Sequence, residues 1–462
     1  MFRRILIANR GEIACRIQRT CARLGIETVA VYSDADQDAP FVKDATESVR
    51  LGPAPVKESY LLMDAIVAAA KERGAEAIHP GYGLLSEKQE FASKVRAAGL
   101  VFIGPPDGAL DAFGDKIKAR AVARPAGVSP PPGTDGPIAI EDEAAVAAEA
   151  TRIGYPLLVK AAGGGGGIGM QIVEAEAKLA RAVKSCSDRG ASAFGDPRIY
   201  MERYVTSPKH IEVQVLCDQH GGAVALGERE CSLQRRHQKI VEESPSPAAF
   251  FQGPSGEQRR AALLDAALRV VREVGYEGAG TVEFVASQDG EIFFLEVNAR
   301  LQVEHCVTEM VTGIDLVEQQ LRVAAGEKLA EAVLAPTRRG HSIEARVYAE
   351  NPKKMFVPQP GKLERLVWPP HGSEIRVETG VVQGSEVTPY YDPMIAKVVA
   401  WGEDRRKAIA TLVTYLDEIQ VSLVGPAGPA ATNVEFLSAI LQSEEFTGGA
   451  YDTAFAEKFA KR

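Results

Sequence analysis

The 462-residue sequence predicts a multi-domain protein of α/β and α+β class, with a doubly wound parallel sheet first, a central domain next and a mixed α/β domain last. Three observations carry this. In the first hundred residues short apolar runs alternate with amphipathic helix patterns, the sequence form of a parallel sheet with helical crossovers. The central region joins strand-like runs through a glycine-rich loop and a tight-turn dipeptide. From about 335 to 445 strand runs accompany one helix near 404–418.

In order, ILIAN (5–9) precedes a helix from about Glu12 to Leu24, then TVAVYS (28–33), a helix near 59–73 stopped by Gly74, and AIHPG (77–81). Ser86 with Gln89 three residues on reads as a capping box opening a helix with apolar Phe91 and Val95, stopped at Gly99 before LVFIG (100–104). GEIA after the first strand, and Asp34 at the end of the second, invite a dinucleotide reading. Only Gly11 stands where G-x-G-x-x-G needs three glycines, which argues against NAD chemistry. His79 in AIHPGYG reads as structural. GVSPPPGTDGP (127–137) reads as a linker or hinge. Past it, YPLLVKAAGGGGGIGMQIV has the form strand, loop, strand, and HIEVQVL (210–216) and GAVALGERE (222–230) form a strand pair before a long helix at 259–275. HSIEARVYA, KLERLVW and MIAKVVAW supply the strands of the last region.

A net charge of -9 argues against general nucleic-acid or anionic-membrane binding, while leaving room for a local basic pocket. No stretch approaches the ~20 apolar residues of a membrane span, and no signal-peptide pattern follows Met1. A cytoplasmic protein is expected. The six cysteines are scattered without a C-x-x-C pair, so they read as reduced thiols.

The segment TVEFVASQDGEIFFLEVNARLQVEH (281–305) is the most informative. Two period-2 runs flank Asp289-Gly290, the dipeptide of a two-residue hairpin turn. With those two as the loop, Glu283 lies opposite Glu296. Like charges so placed destabilise a sheet unless a cation sits between them, so the pair reads as a clamp for Mg²⁺, a hard cation that takes carboxylate and phosphate oxygens. Strand parity puts Glu296, Asn298, Arg300, Gln302 and Glu304 on the same face, with Phe293, Leu295, Val297 and Leu301 toward a core. CSLQRRHQK (231–239) concentrates cationic and amide groups suited to oxyanions. The glycines from Gly163 to Gly167, with Lys160 upstream, can approach phosphate closely but fail the P-loop pattern.

Together these segments resemble the biotin carboxylase family of the ATP-grasp superfamily over nearly the whole chain. The resemblance rests on ILIANRGEIACRI, AIHPGYGLLSE, GDKIKAR, the glycine loop, YMERYV, PKHIEVQVL, ERECSLQRRHQKIVEE, LEVNARLQVEHCVTEM, RGHSIEARVYAENP, PQPGK and YYDPMIAK. It implies an N-terminal domain over 1–114, an ATP-grasp domain over 115–330 with a mobile glycine-loop lid at about 133–204, and a C-terminal domain over 335–446. It implies ATP with Mg²⁺ (or Mn²⁺), bicarbonate as substrate, carboxyphosphate as intermediate, and biotin as the carboxyl acceptor. Lys116 and Lys160 would meet the phosphates, with Gly166 and Gly167 closing from the lid. Glu202, Arg203, Tyr204 and Val205 would meet adenine, helped by His210, Gln234 and His237. Glu283, Glu296 and Asn298 would hold the metals; Lys239, Arg300, Gln302 and Val303 would form the bicarbonate pocket. Glu304 would be the general base, and Arg346 would stabilise the biotin anion.

The sequence departs from the family pattern at Ile168 and Gln171, where basic residues are frequent, and at Cys306, where proline is usual. No Met-Lys dipeptide occurs, so biotin is expected on a separate carrier protein or domain. A carboxyltransferase subunit and a homodimer are the other expected partners. An acetyl- or propionyl-CoA type carboxylase is favoured over a pyruvate or methylcrotonyl-CoA type. A carboxylate-amine ligase of the same superfamily would share the metal pair but would not need Arg346 or LQVEH, and a non-enzymatic nucleotide-binding regulator should lack Glu304. An apolar residue at 168 should leave phosphate to backbone amides and Lys160, so Ile168→Arg is expected to lower the KM for ATP in steady-state assays.

Overall fold

The computed structural model describes residues 1–163 and 169–462, so the expectations for Gly166, Gly167 and Ile168 lie outside the described residues. The N-terminal region is a parallel five-stranded sheet in the order Glu47–Gly52, Glu27–Ser33, Arg4–Ile7, Ala77–His79, Val101–Phe102. Crossover helices Gly11–Arg23, Met63–Glu72 and Gln89–Ala97 bury Ile13, Ile17, Ile66, Phe91 and Val95. The capping box does not form. The third of these helices starts at Gln89, with Lys88 as its uncapped N-cap, and the Ser86 hydroxyl is buried without a partner among the described residues. Tight turns through Gly83–Ser86 and Leu85–Lys88 replace the first helical turn, and the freed Glu87 crosses to the Arg300 segment, accepting from Ala299 N at 3.0 Å. A tertiary hydrogen bond here outweighs a local cap worth about 1 kcal/mol.

Leu157–Ala161 pairs with Met170–Val173 and Ile199–Arg203 in a small antiparallel sheet, backed by helices Glu143–Ile153 and Leu179–Phe194. Val146, Leu157, Val159, Val183 and Met201 form its separate core. The Pro- and Gly-rich stretch is more than a linker: Thr134 N donates to Met201 O at 2.8 Å and Arg203 N to Pro132 O at 2.7 Å, which adds the chain to the sheet edge.

The main body is one antiparallel eight-stranded sheet in the order Ile292–Asn298, Gly278–Ala286, Lys209–Cys217, Ala223–Arg235, Gln238–Ser244, His341–Tyr348, Met394–Gly402, Ile375–Thr379. The strands beyond 335 therefore extend the central sheet through the pairing of Gln238–Ser244 with His341–Tyr348. A second sheet around Gly361–Val367 and the helix Arg405–Glu418 close this end over Ile343, Leu363, Val398 and Leu412. Past residue 446, Tyr451 and Phe455 join the same core.

The hairpin over 281–298 corrects its expected turn. Ser287 N donates to Glu291 O and Gly290 N to Ser287 O, so the loop has three residues, with Gly290 at φ 80, as a type I turn followed by a left-handed residue requires. The one-residue shift this introduces is undone by a bulge between the Phe284/Phe294 and Glu283/Glu296 pairs. Glu283 still faces Glu296. Leu295, the bulged residue, turns from the core into the cleft.

Helix Lys116–Ala123 is capped by Asp115, whose carboxylate accepts from Ile117 N at 2.8 Å and Lys118 N at 3.1 Å. That cap also fixes where Lys116 leaves the helix. Asp115→Ala should cost about 1 kcal/mol in urea unfolding and raise the KM for ATP, whereas Asp115→Asn should change both much less.

Candidate active site

Glu283 pairs with Glu212 on one neighbouring strand and with Glu296 on the other. Three carboxylates thus stand in a row on one sheet face. Burial strengthens their repulsion, and cations from other segments offset it. Lys239 Nζ lies 2.5 Å from Glu212 Oε2, 2.9 Å from Glu283 Oε1 and 2.6 Å from Glu304 Oε1. Lys116 pairs with Glu296, and His210 Nε2 lies 3.1 Å from Glu283 Oε2. Gln302 Nε2 donates to Glu283 Oε1 at 3.0 Å. Beneath them the wholly buried Arg229 binds Glu212, Gln214, Thr281 and Thr308.

Lys239 is aimed by a two-residue turn. Arg235 pairs with Gln238, and Arg236 and His237 between them hold φ 49 and 62. Non-glycine residues in this region carry strain, and here it points His237 into the cleft.

At the cleft's inner end Arg346 donates to Glu304 Oε2 at 2.9 Å. Arg300 donates through Nε to Glu87 at 2.8 Å and through a terminal nitrogen to Asn298 Oδ1 at 3.0 Å. On the small-module side Lys160 and Arg120 each lie 2.5 Å from the buried Glu202 carboxylate. The walls enclose a cavity of about 460 Å³, within the size range of small-molecule sites.

Burial, then the positive charge of Lys160, depresses the Lys116 ammonium to about 8. Burial opposes ionisation of Glu304, yet Lys239, Arg346 and Arg229 hold it well below the usual carboxylate range. Burial likewise opposes the Lys239 charge, but Glu212, Glu283 and Glu304 raise it well above the ordinary lysine range. His79 lies outside the cleft: burial lowers it to about 3, and its Nδ1 accepts from Gly81 N at 3.0 Å. Cys231 and Cys306 are buried and line no part of the cleft.

The cleft gathers Lys116, Lys160, Glu202, Arg203, Tyr204, Val205, His210, Gln234, His237, Lys239, Glu283, Glu296, Asn298, Arg300, Gln302, Val303, Glu304 and Arg346. The Arg203 guanidinium turns toward Glu291 at 3.0 Å and covers Phe293. Gln171 lines the cleft where the resemblance made an arginine frequent. Strand parity does not carry the Glu296–Glu304 face to its end, because the strand stops at Asn298 and Glu304 is the N-cap of helix His305–Thr312. Sequence reasoning missed Glu87, Arg120, Glu212 and Asp392. Of these, Glu212 was accessible, since its strand alternates His210, Glu212, Gln214 on one face.

The three regions match the family descriptions "Biotin carboxylase, N-terminal domain" over residues 1–110, "Carbamoyl-phosphate synthase L chain, ATP binding domain" over 115–332 and "Biotin carboxylase C-terminal domain" over 344–458. The chain belongs to the biotin carboxylase family. It is an ATP-dependent ligase that carboxylates biotin. It is 46% identical to biotin carboxylase 2 of Bacillus subtilis, covering 99% of this chain and 100% of that one. It is also 46% identical to the propionyl-CoA carboxylase alpha chain of Ruegeria pomeroyi, covering 99% of this chain and 68% of that one. It spans 63% and 60% of two methylcrotonoyl-CoA carboxylase alpha subunits, from Dictyostelium discoideum and Oryza sativa.

Among solved structures, a Campylobacter jejuni biotin carboxylase in complex with β,γ-ATP superposes with TM-score 0.93 at 44% identity, covering 99% of each chain. The biotin carboxylase domain dimer of Hydrogenobacter thermophilus 2-oxoglutarate carboxylase, with MgADP, ADP and bicarbonate, gives 0.92 at 40% identity, covering 99% and 98%. The kcat/KM for ATP reports groups of the free enzyme. Lys116 is cationic below about 8 and loses its charge above it, so kcat/KM for ATP should fall as pH rises through that value. Lys116→Arg should move the fall to higher pH.

Proposed function

We propose that the cleft performs the biotin carboxylase reaction with the following division of labour. The observation that carries it is Lys239 bridging Glu283, on the row of opposed carboxylates, and Glu304, which also binds Arg346. Nucleotide handling and bicarbonate handling meet at that one ammonium. ATP lies between the small module and the main sheet, with adenine near Glu202, Arg203, Tyr204 and Val205 and the phosphates near Lys116 and Lys160. Those lysines now rest on Glu296 and Glu202, so each exchanges a carboxylate for a phosphate oxygen when nucleotide enters.

The all-oxygen set of Glu283, Glu296 and Asn298 fits a hard divalent cation, because two carboxylates already face each other with ammonium groups against them. Bound there, Mg²⁺ supplies charge neutralisation to the transferring phosphoryl group. Lys239, Arg300 and Gln302 hold bicarbonate beside Val303, and Glu304 takes its proton at a carboxylate oxygen. A bicarbonate oxygen then attacks the γ-phosphorus as the bond to ADP breaks, which yields carboxyphosphate. Arg346 stabilises the negative charge on the biotin ureido oxygen.

Biotin arrives on a carrier protein or domain, a carboxyltransferase consumes the carboxylated product, and the acceptor is an acetyl- or propionyl-CoA type substrate. A homodimer in the cytoplasm completes the proposal, and the six free thiols suit the reducing compartment. Among the described residues no helix is long and apolar enough to cross a membrane.

ADP release with Mg·ATP should rise on adding bicarbonate and free biotin together; absence of stimulation overturns the assignment. Glu296→Gln should weaken Mg²⁺ binding and lower kcat at least ~100-fold, with the thermal unfolding midpoint little changed.

A further inference from the structure

Behind Arg346 lies a pair of acids with no role in the chemistry above. Glu242 and Glu344 are direct cross-strand partners where Gln238–Ser244 meets His341–Tyr348. Both are wholly buried, and none of their four carboxylate oxygens accepts a hydrogen bond among the described residues. The Arg346 guanidinium lies against Glu242 while also donating to Glu304.

The remaining charged and titratable groups around the pair are Cys231 on the strand Ala223–Arg235, Glu304 and Cys306 at the start of helix His305–Thr312, and Lys397 on the strand Met394–Gly402. Lys397 is engaged elsewhere: it donates to Val303 O at 2.7 Å and lies 3.2 Å from Glu12. Arg229 and Lys239 are directed to Glu212 and Glu304. Arg346 is thus the only cation in contact with the pair among the described residues, Lys397 acts on Glu344 only through space, and two fully ionised acids in direct opposition would be undercompensated.

We propose that Glu242 and Glu344 share a proton and act as an acid-carboxylate pair that positions Arg346, an inference that rests on Arg346 facing the biotin anion. Burial pushes both carboxyls above the usual range, and the neighbouring Glu344 and Glu304 charges push Glu242 further. With the proton in place the pair presents a single negative charge to Arg346, which keeps its contact with Glu304 and the cleft. Loss of the proton adds a second charge on the far side of Arg346 and draws it back.

The test uses the full chain. An infrared difference spectrum of wild type minus Glu344→Gln at neutral pH should show a protonated-carboxyl stretching band, because Glu242 with a glutamine neighbour ionises against Arg346. In both Glu344→Gln and Glu242→Gln the alkaline fall of kcat/KM for free biotin should move up by about one pH unit. The KM for ATP should stay within about twofold. Absence of the band, or an alkaline limb that superimposes on wild type in whichever variant folds, overturns the proposal. Arg346→Gln separates the two assignments. If it retains wild-type biotin turnover, the role given to Arg346 fails and the infrared band alone decides the shared proton.

Discussion

One ammonium group, Lys239 Nζ, binds carboxylates from three separate segments, and the site depends on this compensation. Glu212, Glu283 and Glu304 come from two neighbouring strands and a helix start, all nearly or wholly out of water. Removing one partner of such a buried cluster leaves unpaired charge at a cost of several kcal/mol. The cluster is a poor source of stability and a strong constraint on geometry. It fixes the spacing between Glu283 and Glu304, which one ammonium holds together.

The sheet is what brings these charges together. Eight strands run without a break from Ile292–Asn298 to Ile375–Thr379, so side chains about a hundred residues apart in sequence become neighbours. Lys239 and Arg346 sit on adjacent strands of that sheet, and Glu304 reaches both from its helix. The small three-stranded module with its own core faces this rigid surface. The Lys160 and Glu202 side chains it contributes stand opposite Lys116, which its capped helix holds against Glu296.

Local rules failed where a distant group offered more. Ser86 and Gln89 have the spacing of a cap, yet Glu87 is worth more against Arg300 and Ala299 N than as part of a first helical turn. The Asp289-Gly290 turn gained a residue and the strand gained a bulge, and the two shifts cancel at the Glu283/Glu296 pair. That outcome follows from burial: Val282 and Val297 must face the core together, and a slip of one residue would turn every side chain over. The carboxylate pair was legible because the core on the opposite face enforces its register.

From sequence alone came the order of strands and helices, the parallel N-terminal sheet, the opposed glutamates and most of the residues that line the cleft. These depend on period, turn chemistry and ordered motifs, which a chain carries locally. Only the tertiary structure decided that the C-terminal strands extend the central sheet, that Leu295 turns into the cleft, that Glu87 and Glu212 support it, and that Glu242 meets Glu344. Each of these is a pairing between distant segments, and the energy that selects it, charge neutralised or apolar surface buried, exists only once both partners are in place.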